Sequence, residues 1–288
     1  MNKWTLKFAA YLLCLVCVPF LPIANAAEPV AMVTDLKGGV YLAGKAKNTP
    51  VAVLSYLPPG EEIILDAGAK VVVTYFAQST EFSFKGPGRV LIQDREAKAL
   101  AGSAETRRLD TEKSGAAMKF VQSGKLTFAT VEMRSIPFVK PTLISPVNTK
   151  ITSLRPVFSW KGVDDVEKYQ LTLADESGQI LQQVELTVNS WNMPDNIKLQ
   201  HGAGYKWKVE ALLKSGDRLV SQGGFSVADL AAISRVEAKQ ISAEASFSDK
   251  VVYALFLEEE GFRENAKNIW QELSKQRPND PNLKRRAR

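Results

Sequence analysis

The sequence predicts a mainly β protein whose α-helices are confined to its carboxyl-terminal end. Short alternations of apolar and polar residues, punctuated by Gly and Pro, run from Val30 to Ile92 and again from Thr142 to Val227. After Val227 the apolar period changes from about two residues to about 3.6, as in an amphipathic helix. We therefore expect two β domains followed by a short helical unit.

The amino terminus has the three-part layout of a cleavable secretory signal. Lys3 and Lys7 precede an apolar run over residues 8–23, and Ala24-Asn25-Ala26 supplies small residues. An uncleaved anchor is the alternative, but the run contains two prolines and falls short of the about 20 residues that span a bilayer. We expect a signal peptide of residues 1–26, a periplasmic mature protein and no stable membrane insertion after cleavage.

Residue counts exclude several kinds of active site. Cys14 and Cys17 both lie in the signal segment, so the mature chain would have no cysteine nucleophile, thiolate zinc site or redox pair. His201 is the single histidine, which leaves a serine triad or a multi-histidine metal site at most one candidate. Neighbouring acids such as Glu61-Glu62 are interpreted as solvated surface. We expect no enzyme, no catalytic residues, no metal and no cofactor.

The charge balance argues against nucleic acid as a partner. The net charge is +6, and loss of Lys3 and Lys7 would lower it to +4. No part of the chain has a dense basic stripe with interleaved aromatic residues, which nucleic-acid-binding surfaces carry.

The first β domain is assigned to residues 27–135. Turn residues such as Gly38-Gly39 and Gly86-Pro87-Gly88 separate its short strands. The segment Asp94 to Gly115 is dominated by Arg, Lys, Glu, Ala and Ser and lacks the β-branched residues of its neighbours, so it is predicted to be an exposed helix or mobile insertion. Strand-like sequence resumes over Met118 to Met133.

Residues 136–141, with two prolines, are predicted to be a stiff linker to a second β domain over residues 142–228. Turn signals at Ser177-Gly178 and Ser215-Gly216-Asp217 separate strand pairs, which indicates a two-sheet sandwich. The predicted strands are Val157–Trp160, Tyr169–Ala174, Ile180–Val188, Tyr205–Leu213 and Leu219–Val227.

Helices are expected over residues 229–280. A first amphipathic stretch follows Val227, a second is expected to begin after a cap within Ser246 to Asp249, and a third runs from about Arg263 to Gln276. Pro278 and Pro281 should end the third helix. Residues 281–288 form a basic tail.

The first β domain resembles the FecR-type periplasmic domain. The resemblance rests on "VTDLKGGVYL", "LPPGEEIILDAGAKVVVTYF" and "FSFKGPGRVLI", in that order over about 65 residues. It implies a strand, a glycine-bearing turn, a further strand like Val71 to Phe76 and a last strand ending near Ile92. Signalling FecR proteins keep a cytoplasmic segment and a membrane helix, whereas this domain would follow a cleaved signal, so sigma-factor control is not carried over.

The second β domain resembles fibronectin type III and related immunoglobulin-like sandwiches through "PVFSW", "YQLTL" and "LQHGAGYKWKVEAL". This likeness implies a corner in which the Tyr205 hydroxyl ties the chain to an upstream backbone group. Strand alternation sends Trp207 inward with Tyr205, so Trp160 and Trp207 are predicted to be core residues. Trp191 is the candidate for an exposed contact at a strand edge, although we favour burial for it as well.

The terminal helices are similar to one tetratricopeptide unit, because Ala254, Gly261, Ala266, Trp270 and Pro278 match that repeat's spacing of small, aromatic and proline residues. One unit cannot bury a continuous core alone. It must pack on the preceding helix, on the sandwich or on a partner chain. The resemblance makes Trp270 a candidate interaction residue.

The terminal basic cluster supplies the remaining candidate interaction residues, Lys284, Arg285 and Arg286. It could bind an acidic partner or anionic lipid, but a disordered, soluble tail is the favoured interpretation.

Three interaction-type modules without a catalytic constellation favour an exported adaptor or scaffold that binds another envelope protein. Two alternatives remain open. One is a protein that binds peptidoglycan or another glycan through its first domain. The other is a periplasmic signal-sensing component of FecR type.

Overall fold

The computed structural model describes residues 28–44, 48–109 and 140–288. It confirms the predicted fold class, since strands dominate and the helices lie at the carboxyl-terminal end. The predicted signal peptide, the strand at Met118 to Met133 and most of the linker lie outside the described residues.

The first β domain is a sheet of antiparallel strands in the order β3-β2-β5-β7-β6-β1-β4, with β8 paired to β7. The 13-residue strand β7 pairs with β6 through its first six residues and with β5 further along. Buried aliphatic and aromatic side chains fill its core. The strands are β1 (Ala31–Lys37), β2 (Val40–Leu42), β3 (Thr49–Pro50), β4 (Tyr56–Leu57), β5 (Glu62–Leu65), β6 (Lys70–Tyr75), β7 (Thr80–Ile92) and β8 (Ala97–Arg108).

The polar segment from Asp94 to Gly115 is not a helix or a mobile insertion over its described part, and this corrects the sequence-based prediction. Residues Ala97–Arg108 form β8, which pairs with β7 along most of its length. Nearly all of β8 is exposed, so it shows no apolar alternation. Backbone pairing with β7 determines its structure here, and residues 110–115 lie outside the described ranges.

The second β domain is the predicted sandwich. A five-stranded sheet of order β10-β16-β15-β12-β13 faces a three-stranded sheet of order β14-β11-β9. The strands are β9 (Thr142–Ser145), β10 (Lys150–Ile151), β11 (Val157–Lys161), β12 (Val166–Asp175), β13 (Ile180–Leu186), β14 (Ser190–Asn192), β15 (Gly204–Leu213) and β16 (Arg218–Val227).

Aromatic side chains form the centre of the sandwich. Phe158 meets Trp207 edge-on at 5.1 Å between ring centroids, and Trp160 and Trp207 are both buried as predicted. The Tyr205 hydroxyl accepts a hydrogen bond from the Gln200 backbone N–H at 2.8 Å. This is the corner that the resemblance implied.

Four helices follow: α1 (Leu230–Ala238), α2 (Phe247–Glu260), α3 (Arg263–Gln276) and α4 (Pro281–Arg286). Ser246 caps α2 by accepting from the Asp249 N–H, inside the predicted cap region. Gly261 ends α2 with φ +90°, a left-handed conformation that favours glycine. Helix α3 has the predicted bounds.

The expected disordered tail at residues 281–288 is corrected by α4. The carboxylate of Asp280 caps this helix by accepting from the backbone N–H groups of Asn282 and Leu283. Pro281, which was expected to end the preceding helix, occupies the first turn of the next one, where its missing N–H is not needed.

Candidate functional site

The carboxyl-terminal helices pack on the first β domain and share one core with it. Side chains from its sheet and loops join the helical residues in this cluster, and all of them are buried. Those side chains are Met32, Val53, Leu54, Phe76 and Leu109. Helix α2 is buried on several sides as a result, since Val251, Leu255 and Leu257 are all buried.

Two side chains near the start of α4 hold the backbone of Val53. Asp280 Oδ2 accepts from the Val53 N–H, and Asn282 Nδ2 donates to the Val53 carbonyl, both at 2.7 Å. The next residue, Leu54, has φ +67° and is 1% exposed. A non-glycine residue in this left-handed region is strained, and packing in the shared core offsets that strain.

Charged pairs flank this contact on both sides. Arg277 Nη2 donates to Asp35 Oδ1 at 2.7 Å, and its Nε donates to the Leu36 carbonyl at 2.9 Å. Arg107 on β8 donates to the carboxylates of Glu81 at 3.1 Å and Asp249 at 2.8 Å. Burial alone would raise the pKa of Asp249, but the hydrogen bonds from Arg107 and Ser246 hold it below its usual value.

The turn between α2 and α3 also contacts the sandwich. The Lys150 N–H donates to the Gly261 carbonyl at 2.8 Å, and the Glu264 N–H donates to Thr149 Oγ1 at 3.2 Å. Ser145 Oγ donates to Glu264 Oε2 at 3.0 Å. The helical unit, residues 229–287, therefore touches both β domains, and we name it the helical bracket.

The bracket answers the question of where the single tetratricopeptide-like unit packs. Sequence reasoning allowed the preceding helix, the sandwich or a partner chain. The structure shows that it packs on the preceding helix through Ala232, and that the same apolar cluster includes side chains of the first β domain, with polar contacts to the sandwich. The face that was expected to receive a partner is occupied by the chain itself.

Neither predicted tryptophan contact is on the surface. Trp270 is fully buried, and its Nε1 donates to Glu258 Oε1 at 2.8 Å. Trp191 packs against Phe158 at 5.3 Å between ring centroids and is 9% exposed. Both are core residues. Burial is the interpretation that we favoured for Trp191, and neither ring is available for an exposed contact.

The basic cluster lies on α4. Lys284 and Arg285 are exposed there, whereas Arg286 is partly buried and donates to Glu258. Its guanidinium also lies 5.8 Å from the centre of the Trp270 ring. Arg286 therefore contributes to packing within the bracket.

His201 is an exposed turn residue whose Nδ1 lies 2.9 Å from the Ala228 carbonyl oxygen. Within residues 28–44, 48–109 and 140–288, no three His, Cys, Asp or Glu side chains come together as a metal site requires. Over the same ranges, no helix has the length and apolarity needed to cross a bilayer.

The outer face of the five-stranded sheet carries a hollow of about 630 Å³. Strand register aligns Ile180, Ala174, Lys206 and Gly224 in one row across four strands, and Thr172 lies in the next row, opposite Lys208. The small residues Ala174 and Gly224 form the depression between longer side chains. We name this feature the sheet hollow.

The hydroxyl group of Thr172 in the sheet hollow has no hydrogen-bond partner among the described residues. Thr172 is 6% exposed, although it lies on the outward face between the inward residues Leu171 and Leu173. A buried hydroxyl without a partner costs about 1–3 kcal/mol.

The polar groups that line the hollow differ in their hydrogen bonding. Lys206 donates only a long 3.4 Å bond to the Glu176 carbonyl, while Lys208 pairs with Glu210 at 2.9 Å. Ammonium, amide and hydroxyl groups thus surround a shallow apolar floor.

Strand alternation alone places Lys206 and Lys208 on the outward face of their strand, but it does not identify the hollow. The available signal was Gly223-Gly224 inside a predicted strand, which often marks a close backbone approach. A Cβ at Gly224 would lie 3.2 Å from the Tyr205 carbonyl oxygen. The hollow forms only when four strands pair in the observed register, and no local sequence pattern specifies that register.

No family model matches the chain, and no curated protein matches it. Solved structures give distant similarities. CopC from Methylosinus trichosporium OB3b is 16% identical with a TM-score of 0.24, and the match covers 31% of this chain and 95% of CopC.

Two further solved structures match over more of the chain. The extracellular domain of the putative one-component system BT4673 from B. thetaiotaomicron is 11% identical with a TM-score of 0.24, covering 59% of this chain and 30% of that one. The β-1,2-glucanase from Parabacteroides distasonis is 9% identical with a TM-score of 0.21, covering 86% of this chain and 49% of the enzyme. The chain thus spans less than half the length of both proteins.

Proposed function

We propose that this chain is an exported, non-enzymatic envelope adaptor that binds another envelope protein through the exposed faces of its two β domains. The helical bracket fixes those faces relative to each other. The proposal rests on one observation, namely that the carboxyl-terminal helices are buried against the first β domain and hydrogen-bonded to the sandwich.

The bracket changes which surface the partner is expected to use. Helices α2 and α3 have little apolar surface left for a partner, because their large apolar side chains lie in the shared core. The outer face of the five-stranded sheet is open, and it combines the sheet hollow with the exposed side chains of Ile180 and Val220. An exposed mixture of apolar and charged groups is typical of a protein interface.

The experiment is cross-linking in intact cells followed by affinity capture of the full chain. A double variant, Lys206→Glu with Lys208→Glu, reverses charge on the proposed face. Its matched control, Lys161→Glu with Lys198→Glu, makes the same charge change at exposed positions away from that face. The proposal expects a partner that is captured by wild type and control and lost from the first variant. Equal capture by all three proteins would contradict it.

Deleting the helices is not a suitable test. Removal of everything after Ala228 would expose Met32, Phe76 and the rest of the shared core, so partner loss would reflect unfolding.

Export is part of the proposal and has its own test. Intact mass measurement of the chain recovered from the periplasm should give a protein that begins at Ala27. Recovery of a full-length product in the cytoplasm would contradict export.

A glycan binder is the second candidate, and the unpartnered Thr172 hydroxyl is the observation that favours it. Sugar hydroxyls would supply hydrogen bonds to Thr172, Lys206 and Gln222 in the sheet hollow. Co-sedimentation with purified cell-wall sacculi separates the candidates, because a glycan binder pellets and its Thr172→Val variant does not, while an adaptor stays in the supernatant.

A further inference from the structure

Strand β13 forms an open edge of the sandwich. It pairs with β12 alone and ends the five-stranded sheet. One row of its backbone N–H and C=O groups therefore faces away from the sheet, and no other described strand pairs with it. Such an edge is a template for another strand unless it is protected.

The other described edge strands are protected. Five of them are very short, with two to four residues each: β3, β4, β9, β10 and β14. Strand β8 is long, but it carries several charged side chains, including Lys98, Glu105, Arg107 and Arg108. Short length and charge are the two common ways to block pairing at an edge.

Strand β13 has neither protection. Its sequence over Ile180–Leu186 contains no proline and only one charged residue, Glu185. That charge is paired with Lys168 at 2.8 Å. Ile180 is 59% exposed and Leu181 36%, and Val188 just after the strand is 57% exposed. The edge therefore combines unpaired backbone with exposed apolar side chains.

The sequence of this edge is compatible with antiparallel pairing to a second copy of itself. An antiparallel pair of two β13 strands, related by a twofold axis at Gln183, places Gln183 opposite its own copy. Gln182 then lies opposite Val184, and Leu181 lies opposite Glu185. No like charges meet directly, so the arrangement avoids the repulsion that opposes strand pairing.

We infer that β13 is a self-association edge, through which two copies of this chain form a dimer with one continuous antiparallel sheet across both sandwiches. The occupant is a second copy because the register centred on Gln183 places Ile180 opposite Leu186 at both ends of the pair and brings no like charges together. The edge lies at one side of the five-stranded sheet, so pairing extends the sheet without covering the bracket contacts. This inference does not depend on the proposed adaptor function.

The test changes Gln183, the residue that lies on the proposed twofold axis. Light scattering or sedimentation should give the full chain a mass twice that of one copy. Gln183→Lys and Gln183→Glu each place two like charges opposite one another and should halve that mass. A mixture of the two variants pairs opposite charges and should restore the dimer. Gln222→Lys and Gln222→Glu change an exposed glutamine on the same sheet away from the edge, and both should remain dimeric.

Three results would overturn the inference. They are a wild-type chain that stays monomeric at high protein concentration, a dimer that survives both Gln183 substitutions, and a mixture of the two Gln183 variants that fails to recover the dimer. In the last two cases copies would meet through another surface, or not in this register.

Discussion

The carboxylate of Asp280 accepts a hydrogen bond from the backbone N–H of Val53 at 2.7 Å, although 227 residues separate the two in sequence. The same carboxylate caps α4 through the N–H groups of Asn282 and Leu283. One buried side chain thus joins the last helix to the first β domain. This contact links the first β domain to the last helix, which lie near opposite ends of the described sequence, so that they fold as one unit.

Substitution Asp280→Ala should lower the free energy of unfolding by about 2–4 kcal/mol, because it removes a helix cap and leaves the buried Val53 N–H without a partner. Asp280→Asn keeps an acceptor oxygen and should lose about 1 kcal/mol. Chemical denaturation measures both values. Equal losses for the two variants would mean that the hydrogen bonds at this carboxylate are not responsible.

Trp270→Ala should destabilise the chain by about 3–5 kcal/mol, since it empties a fully buried site between α2 and α3. Lys284→Ala on the exposed face of α4 should change stability by less than about 0.5 kcal/mol. Thermal or denaturant unfolding compares them. A loss below about 1 kcal/mol for Trp270→Ala would contradict its burial in the shared core.

Thr172→Val should stabilise the unliganded protein by about 1–2 kcal/mol, because it removes a buried hydroxyl that has no partner. Thr74→Val is the control. Its hydroxyl lies 2.8 Å from that of Thr34 in the first β domain, and its removal leaves a buried group unpaired at a cost of about 1–3 kcal/mol. Denaturation midpoints should therefore move in opposite directions, and a destabilised Thr172→Val would show that this hydroxyl has a partner in solution.

The contact between Arg107 and Asp249 should weaken in acid. The pKa of Asp249 is held below 3.8, its usual value, so the stability it contributes is fully present above about pH 4. That contribution is lost as the pH falls through the lower pKa of the folded state. Other acids also titrate in this range, so the useful quantity is the difference between two proteins.

Asp249→Asn should therefore lose less stability than wild type between pH 7 and pH 3, as measured by denaturation at each pH. The variant keeps the backbone N–H that Ser246 accepts, so the cap of α2 is preserved. A fall in stability identical to that of wild type would contradict a role for this carboxylate in joining β8 to α2.

Local sequence patterns were sufficient to predict the strands of the sandwich and the bounds of α3. Alternation over Tyr205–Leu213 separates buried Trp207 from outward Lys206, and this period of two needs no distant contact. The bounds of α3 follow from Gly261 before it and Pro278 after it, because these residues disfavour continuation of a helix.

Strand β8 could not be predicted in the same way. Its Ala, Lys, Glu and Arg residues favour helix or disorder when taken alone, and most of them stay exposed in the strand. Pairing with β7 supplies the backbone hydrogen bonds that the local sequence does not specify.

The sequence by itself determined the order of the modules, their strand and helix character, and the burial of Trp160 and Trp207, because these depend on residue spacing within each segment. Only the tertiary structure decided what the helices cover, that Trp270 lies in a core, and that rows of four strands leave a hollow beside Thr172. The physical reason is that the apolar pattern of a helix predicts that one face is buried, but it does not identify the surface that covers this face. That surface is selected by complementary shape and by polar contacts, such as the hydrogen bond from the Val53 N–H to Asp280, which form only after the chain has folded.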